Sequence, residues 1–169
     1  MTSERIARLF NATFAARYAT VMIGGAAEPL YLPRDGTSPA RIFYTRDFPA
    51  SVLHEAAHWC VAGSARRALV DYGYTYAPPP RSHEDRAAFF AAERDVQALE
   101  CVFARCAGLE FSISADDFGV TVGEREAFAL VVAARSIERA RHLSGRAAAF
   151  AAVLNAAAGS GGAALRAKS

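Results

Sequence analysis

His54-Glu55-Ala56-Ala57-His58 constrains this chain more than any other feature, because its two histidines can act together only if the segment is a helix. Residues four positions apart lie on one helical face, so both imidazoles reach a common point roughly 2 Å from each nitrogen. That point is suited to a metal ion. Glu55 sits beside it, where a glutamate can polarise a metal-bound water, so the motif by itself points to hydrolysis. A His, Glu and His at these offsets arises by accident in about one chain of this length in a few hundred. Val52, Leu53, Ala56, Ala57 and Trp59 supply the apolar surroundings expected of a functional metal.

The pattern around the motif predicts an α+β fold, with a small, mostly antiparallel sheet packed against helices. Ile6, Leu9, Phe10, Phe14 and Ala15 recur at helical spacing over Ser3–Arg17, with Ser3 as the expected cap. Thr20–Ile23, Leu30–Leu32 and Arg41–Thr45 read as strands, with turns at Gly24-Gly25 and Arg34-Asp35-Gly36. The metal helix then spans Pro49 to Ala62 and stops at Gly63. The triple proline Pro78–Pro80 forces an exposed connection. Ser82–Ala107 returns to helical periodicity, Phe111–Ser114 suggests one more strand with a turn at Asp116-Asp117, and Glu124–Leu143 and Arg146–Ala157 read as two last helices. One domain over residues 1–158 is expected, with 159–169 a flexible tail released at Gly159-Ser160-Gly161-Gly162.

Composition narrows the partners. With 169 residues, 53% hydrophobic, 21% charged and a net charge of +2, the chain is large enough for a core and too weakly charged to suggest nucleic acid or a membrane surface. Cys60, Cys101 and Cys106 form no Cys-x-x-Cys pair and sit in apolar settings, which reads as reduced, buried thiols. No apolar run approaches a bilayer span and Met1–Arg5 lacks a secretory pattern, so a soluble cytoplasmic protein is expected.

A catalytic metal needs a third protein ligand with at least one position left open. His83 lies in a polar stretch and His142 at the end of an arginine-rich helix, which favours neither. Glu93 is the better candidate, with Gln97 four positions on to orient it. Asp95 and Glu100 compete with Glu93, because spacing alone does not fix which face of that helix points inward.

These residues resemble the elongation factor P hydroxylase family. The resemblance rests on Glu28–Pro33, on Ser51–Cys60 with Ala62-Gly63 and Ala65–Arg67, on Val70–Tyr74 and Tyr76, and on Glu93, Gln97–Leu99 and Ala107-Gly108. It spans residues 5–119, and the Ala/Gly-rich C-terminus departs from the family's ending. The resemblance implies hydroxylation of a lysine in translation elongation factor P that already carries β-lysine. It also implies His54, His58 and Glu93 as metal ligands. Two imidazoles and a carboxylate are the donor set of non-haem Fe(II) oxygenases that take dioxygen as co-substrate, and zinc accepts similar atoms. No 2-oxoglutarate site is evident.

Under this reading Glu55 orients a ligand, passes a proton or holds a water. Asp71 either supports the site or receives a cationic substrate. Arg66 and Arg67 either meet acidic surface on the protein substrate or pair with helix carbonyls. Tyr72, Tyr74 and Tyr76 alternate as in a half-buried strand and, with Trp59, are candidates for an aromatic wall. Two rivals remain at this stage: a zinc peptidase using the same ligands with Glu55 as base, and a metal-stabilised binding protein closed by His83 or a cysteine. Oligomeric state is open.

Overall fold

A computed structural model describes residues 1–45, 48–74, 81–114 and 120–166, with side chains through residue 160. The helices are α1 (Ser3–Tyr18), α2 (Pro49–Val61), α3 (His83–Ala107), α4 (Val122–Arg141) and α5 (Gly145–Arg166), and the strands are β1 (Thr20–Ala26), β2 (Leu30–Leu32) and β3 (Ala40–Thr45). The α+β class holds. The sheet, however, is mixed: its order is β1-β3-β2, with β2 antiparallel and β1 parallel to the central β3. β3 alternates buried Ala40, Ile42 and Tyr44 with half-exposed neighbours, and it takes the middle place. Two reversals between β1 and β3 then leave those strands running the same way. Gly24-Gly25 does not end β1; Gly25 takes φ +79° inside the strand and the register with β3 shifts there. The outer edge of β1 is covered by Asn11 of α1, whose amide accepts from Met22 N at 2.7 Å and donates to Met22 O at 3.0 Å.

α2 lies at the centre of the molecule, touching β3, α1, α3 and α5. Pro49 opens it at a position where a missing N–H costs nothing. One of its faces enters an aromatic core in which Trp59 meets Phe14 at 4.9 Å, Phe10 at 5.2 Å and Tyr18 at 5.5 Å. Trp59 is 1% exposed, and truncating such a side chain typically costs about 3–5 kcal/mol. The C-terminal end of α2 is held from outside: Arg146 of α5 donates through Nη2 to the carbonyls of Trp59 (3.1 Å), Cys60 (3.2 Å) and Ala62 (2.8 Å). Arg67 Nη1 adds a bond to Ala62 O at 2.6 Å. Carbonyls left unpaired at a helix end are thus satisfied by cations that also oppose the negative end of the helix dipole.

Several local expectations change. Thr2 rather than Ser3 caps α1, accepting from Arg5 N, because Ser3 is already helical. Residues 111–114 are not a strand; they pass along α3, tied to it by Gln97. α5 runs through Gly159–Gly162 to Arg166, so the glycines do not end it, flanked as they are by alanines of high helix propensity. Tyr72 and Tyr74 do not form a strand either. Asp71 (φ 47°), Tyr72 (φ 57°) and Gly73 (φ 69°) make three successive left-handed residues, a tight turn rather than an extended segment. Pro78–Pro80, Tyr76 and Asp116-Asp117 lie outside the described residues. No helix among the described residues is long and apolar enough to cross a membrane.

Candidate metal centre

α2 and α3 together wall a cavity of about 580 Å³, within the range of roughly 300–1,000 Å³ usual for enclosed ligand sites. His54 and His58 face it from α2, one turn apart, while their neighbour Trp59 points into the core behind. Glu93 faces it from α3. His54 Nε2 and His58 Nε2 are 3.1 Å apart, and the Glu93 carboxylate lies 3.6 Å from the first and 3.4 Å from the second. Donors bound roughly 2.0–2.2 Å from one centre, at angles between square and tetrahedral, lie about 2.8–3.6 Å apart. The three side chains therefore form a group that can hold a metal ion.

Glu100 lies outside this group, on the other side of the His54 ring. Its Oε2 accepts from His54 Nδ1 at 2.8 Å, which orients the ring and leaves Nε2 to face the centre. This is the carboxylate–histidine arrangement that strengthens metal-binding imidazoles. The bond also charges His54 while no metal competes: burial works against the charged ring, but Glu100, then Glu93 and Glu55, outweigh it and hold the pKa at about 10. Asp95 points the other way, to Arg135 (2.7 Å) and Arg139 (3.2 Å) of α4, a purely structural pairing. Gln97 is fully buried and divides its amide: Nε2 donates to Ser114 O at 2.8 Å and lies 3.5 Å from Glu93 Oε2, while Oε1 accepts from Ser114 N at 3.0 Å.

The remaining expected residues separate into two groups. Glu55, Asp71, Tyr72 and Tyr74 line the cavity. Glu55 is 8% exposed, and burial raises its carboxyl pKa against the opposing pull of His58 and His54. Asp71 Oδ1 accepts from Tyr31 N at 2.7 Å, fastening the left-handed turn to β2. Two non-glycine residues in that conformation cost on the order of 1–3 kcal/mol each. Tyr72 stacks on Tyr31, with ring centroids 4.1 Å apart, and lies parallel to the His58 ring at 6.0 Å. Trp59, Arg66 and Arg67 do not line the cavity. Arg66 stacks 4.3 Å from the centroid of Tyr74, and Arg67 closes the end of α2. His83 begins α3 and His142 ends α4; neither belongs to the metal group. Nothing local in the sequence marks Tyr31 for its place under the turn.

The family model described as elongation factor P hydroxylase matches residues 9–165. The chain belongs to the elongation factor P hydroxylase family. An elongation factor P lysine hydroxylase of Haemophilus influenzae is 41% identical over 126 residues, which make up 74% of this chain and 71% of that protein. The family match reaches well past the block around residues 5–119 that carries the resemblance in the sequence, and takes in α4 and nearly all of α5. The Ala/Gly-rich C-terminal helix thus falls within the family's extent.

Proposed function

We propose that this protein is a cytoplasmic, metal-dependent monooxygenase that hydroxylates the β-lysylated lysine of translation elongation factor P. Its family and the activity named for its Haemophilus relative supply the reaction and the protein substrate. The observation that carries the chemistry is the convergence of His54 Nε2, His58 Nε2 and the Glu93 carboxylate on one point in an open cavity. That donor set favours Fe(II), held by these three residues with positions left for dioxygen. A metal bound there would supply oxygen binding and the redox chemistry of C–H hydroxylation, in which one oxygen enters the substrate and the other leaves as water, with two electrons drawn from an external reductant and two protons.

The chain's own residues prepare that reaction. Glu100 fixes the tautomer of His54, and Gln97 steadies Glu93 against the 112–114 segment. Glu55 lines the cavity outside the His54, His58 and Glu93 group, and its assigned role is to hold or pass a proton. The described lining carries four carboxylates, on Glu55, Asp71, Glu93 and Glu100, against the one guanidinium of Arg81. Glu93 belongs to the metal group and Glu100 is paired with His54, so Glu55 and Asp71, beside the rings of Tyr72 and Tyr74, are the carboxylates left to meet a long cationic side chain. Asp71, not engaged by the metal group, is the carboxylate assigned to the substrate's ammonium.

The test is direct. Iron-loaded protein incubated in air with β-lysylated elongation factor P and a chemical reductant should add one oxygen to the modified lysine, detected by mass spectrometry. Absence of that product, with peptide cleavage that disappears in Glu55→Gln, would replace the hydroxylase with a peptidase using the same ligands. No cysteine lies among the described lining residues, which leaves the closed, non-catalytic alternative without a thiol for a fourth ligand.

A further inference from the structure

The Tyr72 hydroxyl stands out among the buried polar groups. The residue is 3% exposed, it lines the cavity, and its Oη has no hydrogen-bond partner among the described residues. A buried phenol without a partner is normally paired or removed, because its lost hydration goes uncompensated. Here several features instead hold it in place. Tyr31 stacks on one ring face, its own hydroxyl secured on Arg67 O at 2.8 Å, and the His58 ring lies parallel to Tyr72. Asp71 anchors the left-handed turn that presents it. A ring serving only as packing would need no hydroxyl at this point; phenylalanine would fill the same space.

We infer that Tyr72 is a further catalytic residue, whose hydroxyl donates a hydrogen bond to the small ligand held in the cavity beside His58. The donor is left without a partner among the described residues because its partner arrives with that ligand. A phenol suits this role because it is protonated at neutral pH, and so donates without bringing a charge of its own next to Glu55 and the metal group. This inference rests on the metal reading of His54, His58 and Glu93, but not on the identity of the protein substrate.

Cobalt-loaded protein titrated with azide, followed by the visible absorption of the metal, separates the two. Tyr72→Phe should keep its cobalt content and melting temperature while binding azide roughly tenfold more weakly, the loss expected for one hydrogen bond to an ion. With modified elongation factor P as substrate it should lower kcat with little change in KM. Tyr31→Phe, which removes a hydroxyl already bonded to backbone, should lower the melting temperature and leave azide affinity intact. Equal azide affinity in wild type and Tyr72→Phe overturns the role of Tyr72 alone. Loss of metal or fold in Tyr72→Phe also overturns it, by showing that the hydroxyl is a structural support. Failure of the wild type to hold cobalt overturns the metal reading and this inference together.

Discussion

Glu100→Gln offers the sharpest quantitative test of the site, because Glu100 acts on His54 in two opposed ways. In the metal-free protein His54 keeps its proton up to a pKa of about 10, and a metal at Nε2 must expel it. Apparent affinity of the wild type should therefore rise about tenfold per pH unit, or about a hundredfold between pH 7 and pH 9. Glutamine preserves the bond to His54 Nδ1 through its carbonyl oxygen and so keeps the ring in place, but it removes the charge that most favours the imidazolium. The His54 pKa should fall toward the ordinary histidine range, and the affinity curve should flatten above neutrality. The same lost charge weakens the imidazole as a ligand, by about 10–100-fold for changes of this kind. Proton competition costs the wild type about a thousandfold at pH 7 and about tenfold at pH 9 but costs the variant little, so the variant should be equal to about tenfold weaker at pH 9 and about ten- to a hundredfold tighter at pH 7. Zinc competition against a chelator at pH 7, 8 and 9, corrected for the chelator's own protonation, measures all of this. Parallel slopes for the two proteins, or a wild-type affinity flat across the range, would refute the reasoning.

The same proton makes the metal-free protein pH-sensitive. A raised histidine pKa contributes stability that is complete below about pH 6.5 and lost as pH climbs through about 10, so the metal-free melting temperature should fall from pH 7 to 10, by calorimetry. His54→Ala, His58→Ala and Glu93→Ala should each lose metal with the fold retained, whereas Asp95→Ala should keep its metal and lose about 1 kcal/mol of stability in urea titrations, the scale of a partly exposed ion pair. Asp71→Asn should lower kcat/KM for modified elongation factor P roughly ten- to a hundredfold without releasing metal. Asparagine tolerates the left-handed backbone and can still accept from Tyr31 N, so an unchanged rate would mean that the ammonium binds elsewhere. The Cys60 thiol, pushed up to about 12 by burial, should label slowly with a thiol reagent at pH 8; fast labelling would show it open to solvent.

What was legible in the sequence follows the range of the interactions. The two histidines needed only one helical turn, so their spacing carried the answer. Glu93 needed to be known as inward-facing, and three inner-face positions of α3 gave the signal: Glu93, Gln97 and Glu100 stand at i, i+4 and i+7, one stripe of one helix, while Asp95 falls on the stripe that meets α4. Treating Glu100 as a competing ligand overlooked that both carboxylates could serve the same histidine from opposite ring nitrogens. The tyrosine alternation misled because three tyrosines at alternate positions also fit a turn, and the positive φ of Asp71, Tyr72 and Gly73 breaks the extended backbone there; only Gly73 hinted at that. Strand polarity was out of reach for a different reason. Placing β3 between β1 and β2 depends on contacts across the whole N-terminal half, and no local pattern encodes it.

Arg146 gives the C-terminal part of the chain a stake in chemistry it does not perform. A premature stop codon anywhere between those for Ser114 and Arg146 would leave His54, Glu55, His58 and Glu93 all encoded, yet strip the Trp59 and Cys60 carbonyls of their guanidinium and leave Ala62 O only that of Arg67. The first of those carbonyls belongs to the residue next to His58. Such a gene product would carry every reactive side chain but would also lose Phe150 and Leu154 from the core, so the helix that presents those side chains would lack both the Arg146 guanidinium and part of its packing. A catalogue of harmful truncations would therefore extend well beyond the last codon of the metal group.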